Sequence, residues 1–169
     1  DEAYFEFCDL TCSDYVTELS NLLITRTFSK AFALASFRIG YAISSVENIS
    51  GLAKLKNPKN ISSLAQTAAS AALEDVGYTK KYTRDVNSCK KQFVDSLRQA
   101  QIPVVGQNGG NFVLIKMRDS NLQFVKQLEE RGIFVRACDH LGELKNHVRI
   151  TVGLKSQMDC VLKAIAECY

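Results

Sequence analysis

The chain has 169 residues, of which 46% are hydrophobic and 23% are charged. This composition is typical of a globular protein with a buried core and argues against a disordered chain. The longest apolar stretches, such as residues 112–115, fall far short of the roughly 20 residues that a membrane-spanning helix needs, so we expect no membrane segment. The net charge is +3 and basic residues are interleaved with acidic ones, which argues against a nucleic-acid partner.

Targeting signals and metal-binding patterns are not recognisable in the sequence. The first residue is Asp1, and neither a secretory signal nor a transit peptide is visible. Six cysteines are scattered with no CxxC spacing, and we interpret them as reduced thiols in a cytoplasmic protein. His140 and His147 are interpreted as loop or surface histidines, and no metal site is expected.

The amino-terminal part predicts strands around one short turn. DEAYFEF, residues 1–7, predicts a strand end that enters a loop. The runs NLLITRTFS and RIGYAIS, residues 21–29 and 38–44, are rich in apolar and β-branched residues and predict two buried parallel strands. KAFALASF, residues 30–37, is too short for a full helix and predicts a tight turn or a single helical turn that brings the strand ends together.

Helical patterns follow these strands. The first is broken at Asn57 and Pro58. Ser63, with Gln66 three residues later, predicts a capping box for a second, alanine-rich helix that ends near Gly77. A third, amphipathic helix is predicted from about residue 83 to residue 101 by apolar residues at three- and four-residue steps, namely Val86, Cys89, Phe93 and Leu97.

The remainder alternates strands and helices. The predicted elements are a strand NFVLIKM, a helix from about Ser120 to Arg131 that Gly132 closes, a strand IFVRA, a polar loop, a strand HVRITV, and a final helix with Met158, Val161, Leu162 and Ile165. We place a domain boundary near residue 80, where the first strands give way to the long helix.

The segment TRTFSKAFALASFRIGY, residues 25–41, contains the most informative cluster of polar residues. Lys30 is its only lysine, and we expect desolvation near a buried strand end to favour the neutral amine that attacks a carbonyl carbon. Thr27 and Ser29 supply hydroxyl groups, and Arg38 supplies a planar donor fork that suits phosphate oxygens. This pattern indicates a site for an aldehyde that carries a phosphate group.

The same segment is similar to the cofactor-lysine motif of fold-type I aminotransferases, and SKAFALA is close to the wording in histidinol-phosphate aminotransferases. The resemblance implies that Lys30 holds pyridoxal 5'-phosphate covalently and that Thr27, Ser29 and Arg38 bind its phosphate group. Ser36 stands where the family usually has glycine.

Two other motifs support the resemblance. DEAY resembles a strand-end motif in which the aspartate pairs with the pyridine nitrogen and the tyrosine bonds the phenolic oxygen of the cofactor, which implies these roles for Asp1 and Tyr4. HVRITVGL resembles the family's substrate-carboxylate motif and implies Arg149, on one strand face with His147 and Thr151. Arg136 in GIFVRA matches another arginine near the substrate.

The resemblance extends to the final helix but covers only the later part of such an enzyme. It implies an α/β fold with part of the large-domain sheet in residues 1–80, followed by the small α/β carboxy-terminal domain in residues 81–169. The implied reaction belongs to histidine biosynthesis and transfers an amino group between a phosphorylated amino compound, of the histidinol-phosphate type, and 2-oxoglutarate. The implied assembly is a homodimer.

Two alternatives stay open. Threonine-phosphate decarboxylases share this fold and much of the lysine motif, so a decarboxylase is the nearest rival. The chain as given is alternatively a non-catalytic fragment. In the family, the glycine-rich phosphate loop, the aromatic residue that stacks on the pyridine ring and the asparagine beside the phenolic oxygen all precede DEAY, and none of them is in this sequence.

Overall fold

A computed structural model describes residues 1–57, 59–106 and 109–169. The chain divides into two units, Asp1–Thr83 and Arg84–Tyr169, so the division falls inside a long helix. Across the described ranges, every helix is too short or too polar to cross a lipid bilayer.

The first unit contains a two-stranded sheet of β1 (Leu23–Thr27) and β2 (Gly40–Ser44). The predicted positions of both strands are confirmed, but the predicted parallel pairing is wrong. The strands are antiparallel, with Ile24 opposite Ile43. The physical reason is the connection: residues 28–39 form a loop with one short 3₁₀ turn, whereas parallel neighbours need a crossover, usually a helix.

The prediction that these strands are buried is also wrong. Within the pair only Ile24 is buried, and Gly40, Tyr41 and Ala42 are exposed. The described residues place only two strands in this sheet. Side chains on both strands therefore lack neighbouring strands that would cover them.

The amino-terminal segment forms helix α1 (Phe5–Cys8), so the prediction of a strand end over residues 1–7 is wrong. One helical turn brings the buried Phe7 against the rings of Tyr4 and Tyr82, with centroids 6.3 and 6.2 Å away. Asp9 then adopts a left-handed conformation with φ of 53° and ends the turn. Burial of an aromatic ring thus outweighs the alternating pattern that suggested a strand.

Two helices follow the sheet, α2 (Val46–Leu55) and α3 (Ser63–Glu74), and both were predicted. The capping box at the start of α3 was predicted one residue too late. The Ser62 hydroxyl caps the helix by accepting from the N–H of Ala65, and the Gln66 side chain donates to the Ile61 carbonyl. Asn57 lies beyond α2 as predicted, while Pro58 lies outside the described residues.

The long helix α4 (Val76–Gln99) begins earlier than predicted. Gly77 was predicted to end the preceding helix, but it lies inside the first turn of α4. Asp75 explains the early start, because its carboxylate accepts from the N–H of Tyr78 at 3.2 Å, as a helix-capping residue does. The predicted apolar face is confirmed, with Val86, Phe93 and Leu97 buried.

The second unit has a four-stranded antiparallel sheet in the order β3-β4-β6-β5. Its strands are β3 (Val104–Val105), β4 (Phe112–Lys116), β5 (Arg136–Ala137) and β6 (His147–Thr151). Its other helices are α5 (Asn121–Glu129), which Ser120 caps, and α6 (Lys155–Cys168). The predicted strands and helices occur in the predicted order, although IFVRA yields only a two-residue strand and β3 was not predicted.

The two faces of this sheet differ in burial. One face is the core of the second unit and consists of residues that are at most 1% exposed, namely Val113, Ile115, Val148 and Ile150. Helix α5 lies against β5, β6 and α6. The opposite face carries Leu114 and Arg149, which are half-buried, and Arg136, which is exposed. Polar side chains for binding are therefore available on this second face.

We expect Gly40→Ala to weaken the β1–β2 pair. A Cβ at Gly40 would lie 2.6 Å from the carbonyl oxygen of Arg26, closer than real contacts of this kind. The free energy of unfolding should fall by about 1–3 kcal/mol, as for other overpacked sites. Gly51→Ala on α2 is the control, because no atom lies within 4 Å of its Cβ position and the helix should gain about 0.5–1 kcal/mol. Urea unfolding of both variants is the measurement, and equal stability for the two would contradict the geometry.

Candidate cofactor and substrate sites

The amino-terminal residues are attached to β1. The N–H of Glu2 donates to the carbonyl of Thr25 at 2.8 Å. The Asp1 carboxylate accepts from the Thr25 hydroxyl at 3.3 Å and from the N–H of Ala3 at 3.1 Å. Asp1, the candidate partner of the pyridine nitrogen, therefore lies beside the strand that leads to Lys30.

Lys30 follows β1 and approaches Tyr4. Its Nζ atom lies 5.6 Å from the centre of the Tyr4 ring, so the structure brings these two predicted site residues together. The expectation that Lys30 is desolvated is wrong for this structure, because the side chain is exposed. The buried residue at this strand end is Phe28 instead, and the chain turns outward after it.

The loop that carries Lys30 is closed by its own contacts. The ring of Phe28 packs against those of Phe32 and Tyr41, with centroids 4.9 and 5.7 Å away. The Phe28 carbonyl accepts from the N–H of Leu34, and the Lys30 carbonyl accepts from the N–H of Ala33. These bonds fold residues 28–34 into a compact turn with the Lys30 side chain outside it.

Two hydroxyl residues flank Phe28. The Thr27 hydroxyl accepts from the N–H of Ser29 at 3.1 Å. Its own proton therefore remains able to donate to an acceptor, and both side chains are half-buried. Thr27 and Ser29 thus lie together directly before Lys30.

Arg38 ends the loop in a left-handed conformation, with φ of 51°. Its side chain is exposed and donates to the carbonyl of Ala35 at 2.9 Å. Among the described residues it makes no hydrogen bond to Thr27, Ser29 or Lys30. Positive φ also occurs at Ala33 but not at Ser36, so a serine there in place of the family's glycine causes no backbone strain.

The sequence did not reveal an ion pair between Glu2 and Arg26. The Arg26 guanidinium donates to a Glu2 oxygen from Nε at 3.0 Å, its Nη2 atom lies 2.9 Å from the same oxygen, and the side chains are 11% and 12% exposed. Burial acts to raise the pKa of Glu2, but donation from the Cys12 N–H, Arg26 and the Thr11 hydroxyl outweighs it and holds that pKa below its usual value. Glu2 and Arg26 lie on separate segments of the chain, so no spacing in the sequence predicts that they pair.

In the second unit, Arg136 and Arg149 are directly opposite each other on β5 and β6. Directly opposed residues of an antiparallel pair share one face of the sheet. The Arg149 guanidinium carbon lies 3.9 Å from the centre of the Phe112 ring, which is a cation–π contact. The structure therefore brings together the two arginines predicted to bind substrate.

The histidines and cysteines supply no metal site among the described residues, in which no group of three or more His, Cys, Asp or Glu is suitably arranged. His140 is exposed, as expected. The surface interpretation of His147 is wrong: it is 7% exposed on β6, with Nδ1 2.9 Å from the carbonyl oxygen of Lys145. All six cysteines are free thiols.

Comparison with known sequences establishes the family. The profile of the family described as aminotransferase class I and II matches residues 1–165, so the chain belongs to that family. The dihydroxyacetone phosphate transaminase of Campylobacter jejuni is 45% identical in an alignment of 170 positions that covers 99% of this chain and 46% of that protein. The histidinol-phosphate aminotransferase of Caldanaerobacter subterraneus is 36% identical over 99% of this chain and 47% of its own length.

Comparison with solved structures confirms the fold-type I aminotransferase fold that was predicted. The histidinol-phosphate aminotransferase of Sinorhizobium meliloti, solved in complex with pyridoxal 5'-phosphate, matches with a TM-score of 0.87 and 27% identity. The match covers 99% of this chain and 47% of that one. The chain thus spans about half the length of the curated relatives it matches.

We expect the opposed arginines to repel each other when no anion is bound. Arg136→Gln should therefore raise the free energy of unfolding by about 0.2–1 kcal/mol at low ionic strength, since like charges directly opposite are destabilising. The gain should vanish in high salt, which screens exposed charges. Arg118→Gln is the control, because Arg118 is also exposed but lies outside the strands, where it is not opposed to a second arginine in the sheet. Thermal unfolding at two salt concentrations is the measurement, and a gain that does not depend on salt would contradict this account.

Proposed function

We propose that the complete protein is a pyridoxal-phosphate-dependent aminotransferase. It transfers an amino group between a phosphorylated amino compound, of the histidinol-phosphate type, and 2-oxoglutarate. The observation that carries this proposal is the arrangement on the first unit, where the Tyr4 ring lies 5.6 Å from Lys30 Nζ and Asp1 is bonded to the strand that leads to Lys30.

The side chains of the first unit fit pyridoxal 5'-phosphate chemically. They include an exposed amine at Lys30, a phenol at Tyr4 and a carboxylate at Asp1. The groups suited to its phosphate are the hydroxyls of Thr27 and Ser29 and the guanidinium of Arg38. When bound, the cofactor supplies an electron sink for the bond that breaks at the substrate's α-carbon.

Lys30 has two roles in this proposal. Its Nζ atom would hold the cofactor covalently. The same amine, when it is not bonded to the cofactor, would accept and return the proton of the substrate's α-carbon.

Asp1 and Tyr4 would set the electronic state of the cofactor ring. A carboxylate beside the pyridine nitrogen favours the protonated nitrogen, which draws electrons from the reacting bond. A hydrogen bond from the Tyr4 hydroxyl to the phenolic oxygen would stabilise the negative charge there. Both roles require that the segment carrying these residues keeps its place beside β1.

The second unit would bind the substrate's carboxylate through Arg149, with Arg136 beside it. An arginine donates two parallel hydrogen bonds to a carboxylate, and a neighbouring cation increases the attraction.

The names of the two relatives support a phosphorylated substrate, because one refers to dihydroxyacetone phosphate and the other to histidinol phosphate. The family resemblance supports a role in histidine biosynthesis and a cytoplasmic homodimer. It also supports residues 1–80 as part of the large domain and residues 81–169 as the small domain.

The proposal is tested by measuring products with the complete protein, pyridoxal 5'-phosphate, histidinol phosphate and 2-oxoglutarate. We expect glutamate to form in step with consumption of the amino donor. Lys30→Ala should lower the rate by about 10²–10⁴-fold or more, the range for loss of an acid–base group. Lys54→Ala, on the exposed surface of α2, should keep the wild-type rate.

Two results would contradict this function. Release of carbon dioxide from an amino acid without consumption of the keto acid would indicate a decarboxylase of the threonine-phosphate type. A Lys30→Ala variant that keeps its fold and its full rate would remove Lys30 from the chemistry.

A further inference from the structure

We propose that the buried ion pair between Glu2 and Arg26 positions the cofactor-binding residues. It holds the segment with Asp1 and Tyr4 in one register beside the strand that leads to Lys30. This inference rests on the proposed function, because it concerns how these residues meet the cofactor. Glu2 and Arg26 themselves are positioning residues and do not contact the reacting atoms.

Several donors converge on the Glu2 carboxylate. It accepts hydrogen bonds from Arg26 Nε at 3.0 Å, from the Thr11 hydroxyl at 3.0 Å and from the Cys12 N–H at 2.7 Å, and Arg26 Nη2 lies 2.9 Å from it. Arg26 also donates to the Thr11 hydroxyl at 2.8 Å. Charge-assisted bonds of this kind are short and directional, so the cluster is compatible with only one orientation of each side chain.

An aromatic ring covers the ion pair. The guanidinium carbon of Arg26 lies 3.6 Å from the centre of the Phe5 ring. Stacking on an aromatic face fixes the plane of a guanidinium group and shields it from water. With both charged side chains nearly buried, removal of either partner leaves the other without its counter-charge, which is strongly unfavourable.

The two members of the pair are neighbours of the candidate cofactor-binding residues in the chain. Glu2 lies between Asp1 and Tyr4, and Arg26 directly precedes Thr27. A displacement of Glu2 from Arg26 would therefore also move Asp1 and Tyr4 relative to Lys30.

Other contacts also attach this segment to β1. They include the backbone bond from the Glu2 N–H to the Thr25 carbonyl and the 3.3 Å bond from the Thr25 hydroxyl to Asp1. The contact between Glu2 and Arg26 differs from these two because it joins two oppositely charged side chains that are nearly buried. A buried ion pair is often no more stabilising than apolar residues of similar size, so its contribution here is to specify one geometry.

The experiment compares the complete wild-type protein, loaded with pyridoxal 5'-phosphate, with the variants Arg26→Gln and Glu2→Gln. The readouts are the dissociation constant of the cofactor and the visible circular dichroism per bound cofactor, which reports how the ring is held. In both variants we expect cofactor binding that is weaker by about tenfold or more and a loss of about half or more of the dichroism, since small displacements of positioned groups have effects of this order. Arg26→Lys should recover part of the cofactor affinity and part of the dichroism, because lysine keeps the positive charge but lacks the planar set of donors of arginine.

Arg131→Gln is the matched control. It breaks an ion pair with Glu167 at 3.4 Å, whose side chains are 40% and 64% exposed. We expect its cofactor affinity and dichroism to equal those of wild type. If Arg26→Gln does not fold, Glu2→Gln carries the same test, because it keeps the side-chain size and a carbonyl oxygen for the Cys12 N–H.

The outcomes separate this inference from the proposed function. If wild type binds the cofactor normally and both variants match it in affinity and dichroism, the positioning inference is overturned even if their melting temperatures fall, while the proposed function stands. If wild type shows no bound cofactor, the proposed function is overturned and this inference with it.

Discussion

The chain leaves β1 at Thr27 and returns to β2 at Gly40 without a crossover helix, and the geometry of the first unit depends on this short return. Phe28 anchors the loop in a cluster of rings, and its carbonyl closes the turn on Leu34. Lys30 therefore projects from a turn that is fixed at both ends. Antiparallel pairing is the consequence of that connection, and a glycine at position 40 is what allows the strands to approach.

Arginines serve opposite electrostatic purposes in the two units. Arg26 is paired with a carboxylate, covered by Phe5 and nearly excluded from water, so its charge takes part in an ion pair within the fold. Arg149 faces a second cation, Arg136, across the strand pair, with the aromatic ring of Phe112 beneath its guanidinium. A site with this excess of positive charge favours an anionic ligand, in agreement with a substrate that carries a carboxylate.

The sequence predicted those features that lie within a continuous stretch of chain. Apolar β-branched runs located β1, β2, β4 and β6, and the stretch from Thr27 to Arg38 indicated Lys30 as the candidate cofactor lysine. The antiparallel direction of β1 and β2 follows from their short connection, but the apolar runs were interpreted as buried parallel strands. Features that depend on contacts between distant segments were not predictable, namely the ion pair of Glu2 with Arg26 and the burial of His147. The exposure of Lys30 was missed because the buried end of the strand is Phe28.

Covalent trapping tests whether Lys30 holds the cofactor. The complete protein is incubated with pyridoxal 5'-phosphate, reduced with borohydride, digested and mapped by mass spectrometry. We expect the reduced pyridoxyl group on the peptide that contains Lys30. Its appearance on another lysine, with Lys30 unmodified, or the absence of any adduct, would show that Lys30 does not hold the cofactor.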